Sequence, residues 1–235
     1  MKPLTPPKPL TPTRGDGVPA MPGAGACTVI VMAKAPVAGF AKTRLIPVLG
    51  AAGAAALAGR LLARAVAEAL AAELGPVELC VTPDADHPAF DALRAAGRVR
   101  LSDQGAGDLG VRMNRALGRV LAAGSRTLLI GTDAPALTAG RLRAAAEALS
   151  DHDAVFVPAL DGGYALVGLA GPVPGLFDRI DWSTARVMAQ TRARLAAAAV
   201  RFAELPPVAD IDEPADLAHP DTAGWLAPDE PASSG

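Results

Sequence analysis

Aromatic residues are scarce: five Phe, two Trp and one Tyr make up 3% of the 235 residues. The 51% apolar content is therefore carried by small side chains, 53 of them alanine. Cysteine is nearly absent as well. Cys27 and Cys80 are too few for a disulfide framework or a structural zinc site, and each lies in a β-rich run where it reads as a small buried hydrophobe. The three histidines, His87, His152 and His219, have no metal-ligand spacing. There is no excess of positive charge, since 22 Lys+Arg stand against 24 Asp+Glu for a net charge of −2. That balance argues against a nucleic-acid partner, whose phosphates require clustered cations. A Gly-x-Ser-x-Gly nucleophile elbow is missing, which removes that type of hydrolase. The long apolar runs are interrupted by Arg60, Arg64 and Glu68, so no membrane span is expected. The opening MKPLTPPKPLTPTRGDGVPAMPG lacks the apolar segment of a secretory signal, and a cytoplasmic location is expected.

What is present is an alternation of strands and helices. Alanine favours helix, and the length suits one domain or at most two small ones. Residues 1–25 hold seven of the 22 prolines and read as a disordered, Pro-rich leader. Residues 26–219 form one continuous body, and 220–235 read as a flexible tail whose Trp225 is able to fold back. β-Branched apolar runs predict strands over 27–33, 77–83, 99–104, 126–133, 153–159, 164–170 and 200–206. Helical spacing predicts helices over 50–74, 87–97, 109–124, 137–149 and 183–199. The alternation implies an α/β fold with a mainly parallel sheet, and ligands in such folds sit beyond the carboxyl ends of the strands.

Chemistry is therefore sought in the strand-end loops. After the first strand, Lys34, Gly39, Lys42, Thr43 and Arg44 supply a glycine turn and three cations suited to phosphates. The spacing is not that of a Walker loop, and a solvated basic loop is the competing explanation. Gly105-Ala-Gly107-Asp108-Leu-Gly110 spells G-x-G-x-x-G, but Asp108 would set a carboxylate beside a pyrophosphate. A tight turn contacting base or ribose fits better, with an Asp108 helix cap as the alternative. Asp133, after the strand ending near 131, is placed to bind Mg²⁺ through oxygen, whereas Thr138 is the better cap for the next helix. Asp210 and Asp212 share one face if extended and are candidates to complete a divalent site with Asp133. Asp212 is equally a candidate N-cap for a helix containing Pro214. Asp161-Gly162-Gly163-Tyr164 leaves room for a ligand or forms a simple hairpin loop. In Asp181-Trp182-Ser183-Thr184, Ser183 or Asp181 is expected to cap a helix.

Together, MAKAPVAGFAKTRL, GDLGVRM, GTDAPAL, ALDGGYALVGL, DWSTARV and DIDEPADL resemble the bacterial DUF2064 family over residues 27–218. That family is a branch of the GT-A, or nucleotide-diphospho-sugar transferase, superfamily. The resemblance implies a Rossmann-like three-layer sandwich with a mainly parallel sheet, and a catalytic domain over 26–219. Members are generally labelled glycosyltransferases, including a group linked to arsenosugar biosynthesis. The AKTRL loop and the DIDEPADL ending also resemble phospholactate guanylyltransferases and, more distantly, molybdopterin nucleotidyltransferases, in which the basic loop holds a nucleoside triphosphate and the strand-end Asp binds Mg²⁺. The chain departs from the family at Phe40 (commonly Arg), Ala134 (often Cys), Ala165 (commonly aromatic) and Glu213 (usually Thr); the loss of Arg at 40 implies a weaker phosphate grip, and Ala165 a reshaped acceptor pocket.

The resulting expectation is a transferase using Mg²⁺ or Mn²⁺ and a nucleotide-activated donor, with glycosyl transfer from an NDP-sugar to a small-molecule acceptor ahead of nucleotidyl transfer from an NTP. A non-catalytic nucleotide-binding regulator is the alternative of another class. Asp133, Asp161, Lys42 and Arg44 are the expected catalytic residues. Lys34, Gly39, Lys42, Thr43, Arg44, Gly107, Asp108 and Gly110 are expected at the nucleotide. Asp161, Gly162, Gly163, Tyr164, Trp182 and Ser183 are expected at the acceptor, and Asp133, Asp210 and Asp212 at the metal.

Overall fold

Alternation along the first strand, β1 (Cys27–Lys34), sets the layering: Val29, Val31 and Ala33 enter one apolar cluster, and Ile30 enters another on the opposite face. The computed structural model describes residues 26–220, 222 and 225; the leader expected over 1–25 and most of the expected tail lie outside these. The remaining strands are β2 (Val77–Thr82), β3 (Arg100–Asp103), β4 (Arg126–Ile130), β5 (Ala154–Pro158), β6 (Tyr164–Leu169) and β7 (Phe202–Glu204). They form one sheet in the order β3-β2-β1-β4-β6-β5-β7. Only β6 runs against the others, paired antiparallel with both β4 and β5. The carboxyl ends of β1, β4, β5 and β7 therefore share one edge of the sheet.

Helices cover both faces, giving the expected three-layer α/β sandwich. On one face, α1 (Ile46–Ala71) and α4 (Ala139–Ala148) bury Leu62, Ala65, Val66, Leu142 and Ala145 against the sheet. On the other, α3 (Leu109–Ala122) and α5 (Val187–Ala197) bury Met113, Leu117, Met188 and Leu195. The short α2 (Asp91–Ala95) follows Phe90, which is fully buried. Many of the buried helix positions are alanines, which let helix and sheet approach closely at little side-chain entropy cost.

A third, smaller cluster bears directly on function. Leu45, Ala54, Leu57, Leu61, Ile211 and Leu217 pack together, with Trp225 against them. This cluster joins the loop after β1 to the acidic segment after β7. Trp225, expected within a flexible tail, is anchored there, and its carbonyl accepts a bond from the Arg60 guanidinium at 2.8 Å. Thr222 is buried.

Several boundaries differ from expectation for local reasons. Gly50 adopts φ 69°, ψ 165°, which breaks α1 one turn after its start. The expected helix over 183–199 begins at Val187, because Ser183 takes φ 62° and cannot enter a right-handed helix. The expected Ser183 or Asp181 cap is absent; Asp181 instead exchanges two bonds with the Gln190 amide, each 2.8 Å. Thr138 caps α4 as expected, accepting from the Arg141 N–H. By length and composition Thr43–Ala71 is apolar enough to cross a membrane, contrary to the reading from its charges. In this fold its apolar face is a layer of the sandwich, packed against sheet residues.

Candidate functional site

The parallel order reverses around β1, with β2 on one side and β4 on the other, and the crevice above such a reversal is where open α/β sheets receive ligands. The loop leaving β1 turns tightly at this crevice. Phe40 and Ala41 both donate N–H bonds to the Val37 carbonyl, and Gly39 supplies φ 82° with nothing within 4 Å of where a Cβ would sit. Lys34 reaches back so that its Nζ donates to the Phe40 carbonyl at 2.6 Å. Lys42 then takes a left-handed conformation, φ 48°, ψ 46°, uncommon for a side chain-bearing residue. Thr43 and Arg44 follow in a single 3-10 turn that drops Leu45 into the third cluster.

That geometry directs the Lys42 side chain inward. Its Nζ lies 2.6 Å from Asp133 Oδ1 and 3.7 Å from Asp212 Oδ1, and it donates to the Ile211 carbonyl. The lysine side chain is only 7% exposed, while Asp133 and Asp212 are 46% and 44% exposed. Arg44 holds Asp212 from the outer side, at 2.9 Å to Oδ2, and also reaches Glu213 at 3.2 Å. Asp133 is steadied by the Thr132 hydroxyl at 3.1 Å. The acidic segment is itself rigid: Asp216 accepts the N–H groups of Asp212 and Glu213, and Glu213 caps the 3-10 turn Pro214–Ala218. The cap thus falls one residue later than the Asp212 position read from sequence, which leaves the Asp212 carboxylate for Lys42 and Arg44.

Asp161 and Asp210 flank this centre. An isolated bridge pairs Ala159 with Val208, and Leu160 donates to the Val208 carbonyl at 3.1 Å, so the β5–β6 turn lies alongside the approach to Asp210. Burial, together with the negative charges of Asp161, Asp216 and Asp133, pushes the Asp210 carboxyl up to about 6. Asp161 Oδ1 accepts the Gly163 N–H at 2.8 Å, closing an Asx turn. Gly162 has φ 92° and packs on the Ala185 backbone, where no Cβ fits. Its carbonyl accepts from Met188 at 2.9 Å, which ties the turn to α5.

Tyr164 departs from its expected acceptor role. Its ring packs edge-on against Phe156, with centroids 5.3 Å apart, and its hydroxyl is buried on the side of Thr191. Burial raises its pKa, so the phenol belongs to the core and is not presented to an acceptor. At the glycine turn, Asp108 caps α3 by accepting the Val111 N–H at 2.9 Å. Gly110 is a packing glycine: a Cβ there would meet the Trp182 indole at 2.8 Å. Gly107 is likewise pressed against Val111. Trp182 and Gly110 therefore pack against each other, with Phe177 beside the indole.

The donors at this centre are oxygens of the kind a divalent cation takes. Carboxylate oxygens are the ligands that Mg²⁺ and Mn²⁺ prefer, and Asp133 and Asp212 already share one cation, the Lys42 ammonium. Three carboxylates do not converge, however, and no group of three or more His, Cys, Asp or Glu able to hold a metal occurs among the described residues. The expected trio is thus corrected to a pair, with Asp210 set apart beside Asp161. Such a pair suits Mg²⁺, which commonly takes one or two carboxylates and completes its shell with phosphates and water.

Two partners escaped the sequence reading. The Ile211 carbonyl is a backbone acceptor, which no residue type signals. Gln104 is buried and donates to the Ala33 and Cys80 carbonyls at 3.0 and 3.1 Å, fixing the ends of β1 and β2 beneath the crevice. A polar residue closing a β-rich run was its only sign.

Residues 65–184, just over half of the chain, match the model of a family described as an uncharacterized protein conserved in bacteria, DUF2064. No curated protein matches the chain. Among solved structures, a protein named with the nucleotide-diphospho-sugar transferases, from Desulfovibrio desulfuricans, is 27% identical with a TM-score of 0.74, covering 85% of this chain and 96% of that one. The 4-diphosphocytidyl-2C-methyl-D-erythritol synthase of Anaerococcus prevotii has a TM-score of 0.58 at 10% identity, covering 86% and 97%. Rv0371C of Mycobacterium tuberculosis, in complex with manganese, has a TM-score of 0.50 at 18% identity, covering 86% and 98%. The latter two are likenesses of fold.

Proposed function

The chain belongs to the DUF2064 family, and from that premise we propose that it is a transferase acting on a nucleotide-activated donor, with the donor phosphates bound between the loop after β1 and the carboxylates after β4 and β7. The observation that carries this reading is Lys42, set 2.6 Å from Asp133 at the topological reversal of the sheet with Arg44 beside it. Basic and acidic groups converging there suit a polyphosphate and its counter-ion, which a plain solvated loop would not require. The finer reading is glycosyl transfer from an NDP-sugar to a small-molecule acceptor. The 27%-identical neighbour named with nucleotide-diphospho-sugar transferases supports it.

In this mechanism Lys42 and Arg44 neutralise the charge that develops on the phosphates as the donor bond breaks. Lys34 stands at the mouth of the same loop. A divalent cation held by Asp133 and Asp212 would add charge neutralisation at the phosphate oxygens. Asp161, fixed by its own turn, orients the acceptor hydroxyl and accepts its proton.

Nucleotidyl transfer from an NTP is the second reading, and a specific observation favours it: Lys34 at the end of β1 and Lys42 and Arg44 in the loop after it supply three cations, more than a diphosphate demands. The cytidylyl-bearing product in the name of the Anaerococcus neighbour points the same way. A thermal-shift panel of NDP-sugars and NTPs with Mg²⁺ and Mn²⁺ tests both, because a ligand bound to the folded state raises Tm. Stabilisation by NDP-sugars, with release of nucleoside diphosphate on turnover, is expected. Stabilisation by NTPs alone, with release of pyrophosphate, would replace it with the second reading.

A further inference from the structure

We propose that Lys42 is a resident counter-ion that closes the Asp133–Asp212 pair to divalent metal until a nucleotide's phosphates draw its ammonium away. The proposal rests on the metal-and-nucleotide reading above and adds to it an order of events. An ammonium has three N–H donors, and here three oxygens face them: Asp133 Oδ1 at 2.6 Å, Asp212 Oδ1 at 3.7 Å and the Ile211 carbonyl. With the side chain only 7% exposed, water does not compete for these donors.

The backbone supports the same conclusion. Lys42 sits at φ 48° without being glycine or asparagine, and such a conformation persists only where the surroundings over-determine it. Here two anchors do so: Leu45 in the third cluster on one side, and the Val37 carbonyl holding Phe40 and Ala41 on the other. The strained loop delivers a cation directly into the acidic pair.

A divalent cation bound to the same two carboxylates would lie within a few ångströms of that ammonium, and repulsion at this range excludes joint occupancy. The pair is therefore neutralised but blocked in the free protein. Phosphate oxygens entering the crevice offer Lys42 alternative charge-assisted partners within reach of its flexible stem. Arg44 keeps Asp212 in place by its Oδ2 meanwhile, so Oδ1 is the oxygen that changes partner. Metal and nucleotide then favour each other's binding, although neither is drawn strongly alone.

The test measures Mn²⁺ affinity by electron paramagnetic resonance on the full chain without nucleotide. Lys42→Met keeps the bulk of the stem and removes the charge; Lys42→Gln also retains a donor for the Ile211 carbonyl and serves if the first variant folds poorly by circular dichroism. Either variant is expected to bind Mn²⁺ at least about tenfold more tightly than the wild type, and adding Asp133→Asn is expected to abolish the gain. Equal affinity in wild type and variant, failure of both variants to bind Mn²⁺, or a gain that survives Asp133→Asn would each overturn the proposal. Because no nucleotide is present, a wrong donor class leaves this result unchanged. Conversely, equal Mn²⁺ affinities would leave intact any stabilisation by nucleotides in the thermal-shift panel.

Discussion

The Ile211 N–H donates to the Asp133 carbonyl at 2.8 Å, joining the segment after β7 to the segment after β4. Ile211 is fully buried in the cluster that also holds Leu45, so one residue positions Asp133, Asp212 and the Lys42 loop together. Ile211→Ala keeps the backbone bond but opens a cavity beneath all three. A loss of about 2–5 kcal/mol in unfolding free energy is expected, with nucleotide affinity falling alongside, read by urea denaturation and calorimetry on the same sample. Full stability in that variant would contradict the role given to the third cluster.

Arg44 makes the opposite case. Its side chain is 57% exposed, and exposed ion pairs contribute little, so Arg44→Ala should change stability by less than about 1 kcal/mol. Nucleotide binding should nevertheless weaken by about 1–3 kcal/mol, as expected when one partner of a charge-assisted contact is removed. Calorimetry showing unchanged affinity would remove Arg44 from the phosphate site.

Asp210 predicts a dependence on pH. Its carboxyl is raised from the ordinary 3.8 to about 6 by burial and by Asp161, Asp216 and Asp133. The folded state therefore binds this proton more tightly than the unfolded chain, and the stability so gained is present below pH 4 and lost as pH rises to 6. The full shift corresponds to about 3 kcal/mol; screening around a half-buried group reduces the expected effect to roughly 1 kcal/mol. Asp210→Asn should flatten this part of the profile and stabilise the protein at pH 7 in metal-free buffer. Urea midpoints at pH 4, 5, 6 and 7 provide the check, and a profile unchanged by the substitution would refute the assignment.

How much of this was legible in the chain follows from the range of the interactions. CTVIVMA and RTLLIG show their strands locally, because β-branched runs and flanking turns are short-range signals. The loop from Lys34 to Arg44 and the strand-end Asp133 could be picked out because parallel sheets bind ligands at carboxyl ends. Partnership was another matter. Lys42 meets Asp212 across 170 positions, through a core shared by Leu45 and Ile211, and no spacing reveals that. Asp210 and Asp212 share a face in an ideal strand, but the Asp216 cap curls the segment and sends only Asp212 to Lys42. Tyr164 looked ligand-facing beside two glycines, yet β6 turns its ring onto Phe156. The spacing of Gly110 suggests a nucleotide turn, whereas its lack of a side chain makes room for Trp182, 72 residues away.

The central claim is that a nucleotide's phosphates and a divalent cation meet at Asp133. Its most direct test is calorimetric titration of the nucleotide ranked highest in the thermal-shift panel, with and without Mg²⁺, into the wild type and Asp133→Asn. Mg²⁺ should tighten wild-type binding by at least about tenfold, and Asp133→Asn should abolish that gain while circular dichroism shows the fold intact. An equal Mg²⁺ effect in both proteins, or no nucleotide binding by the wild type, would contradict the account.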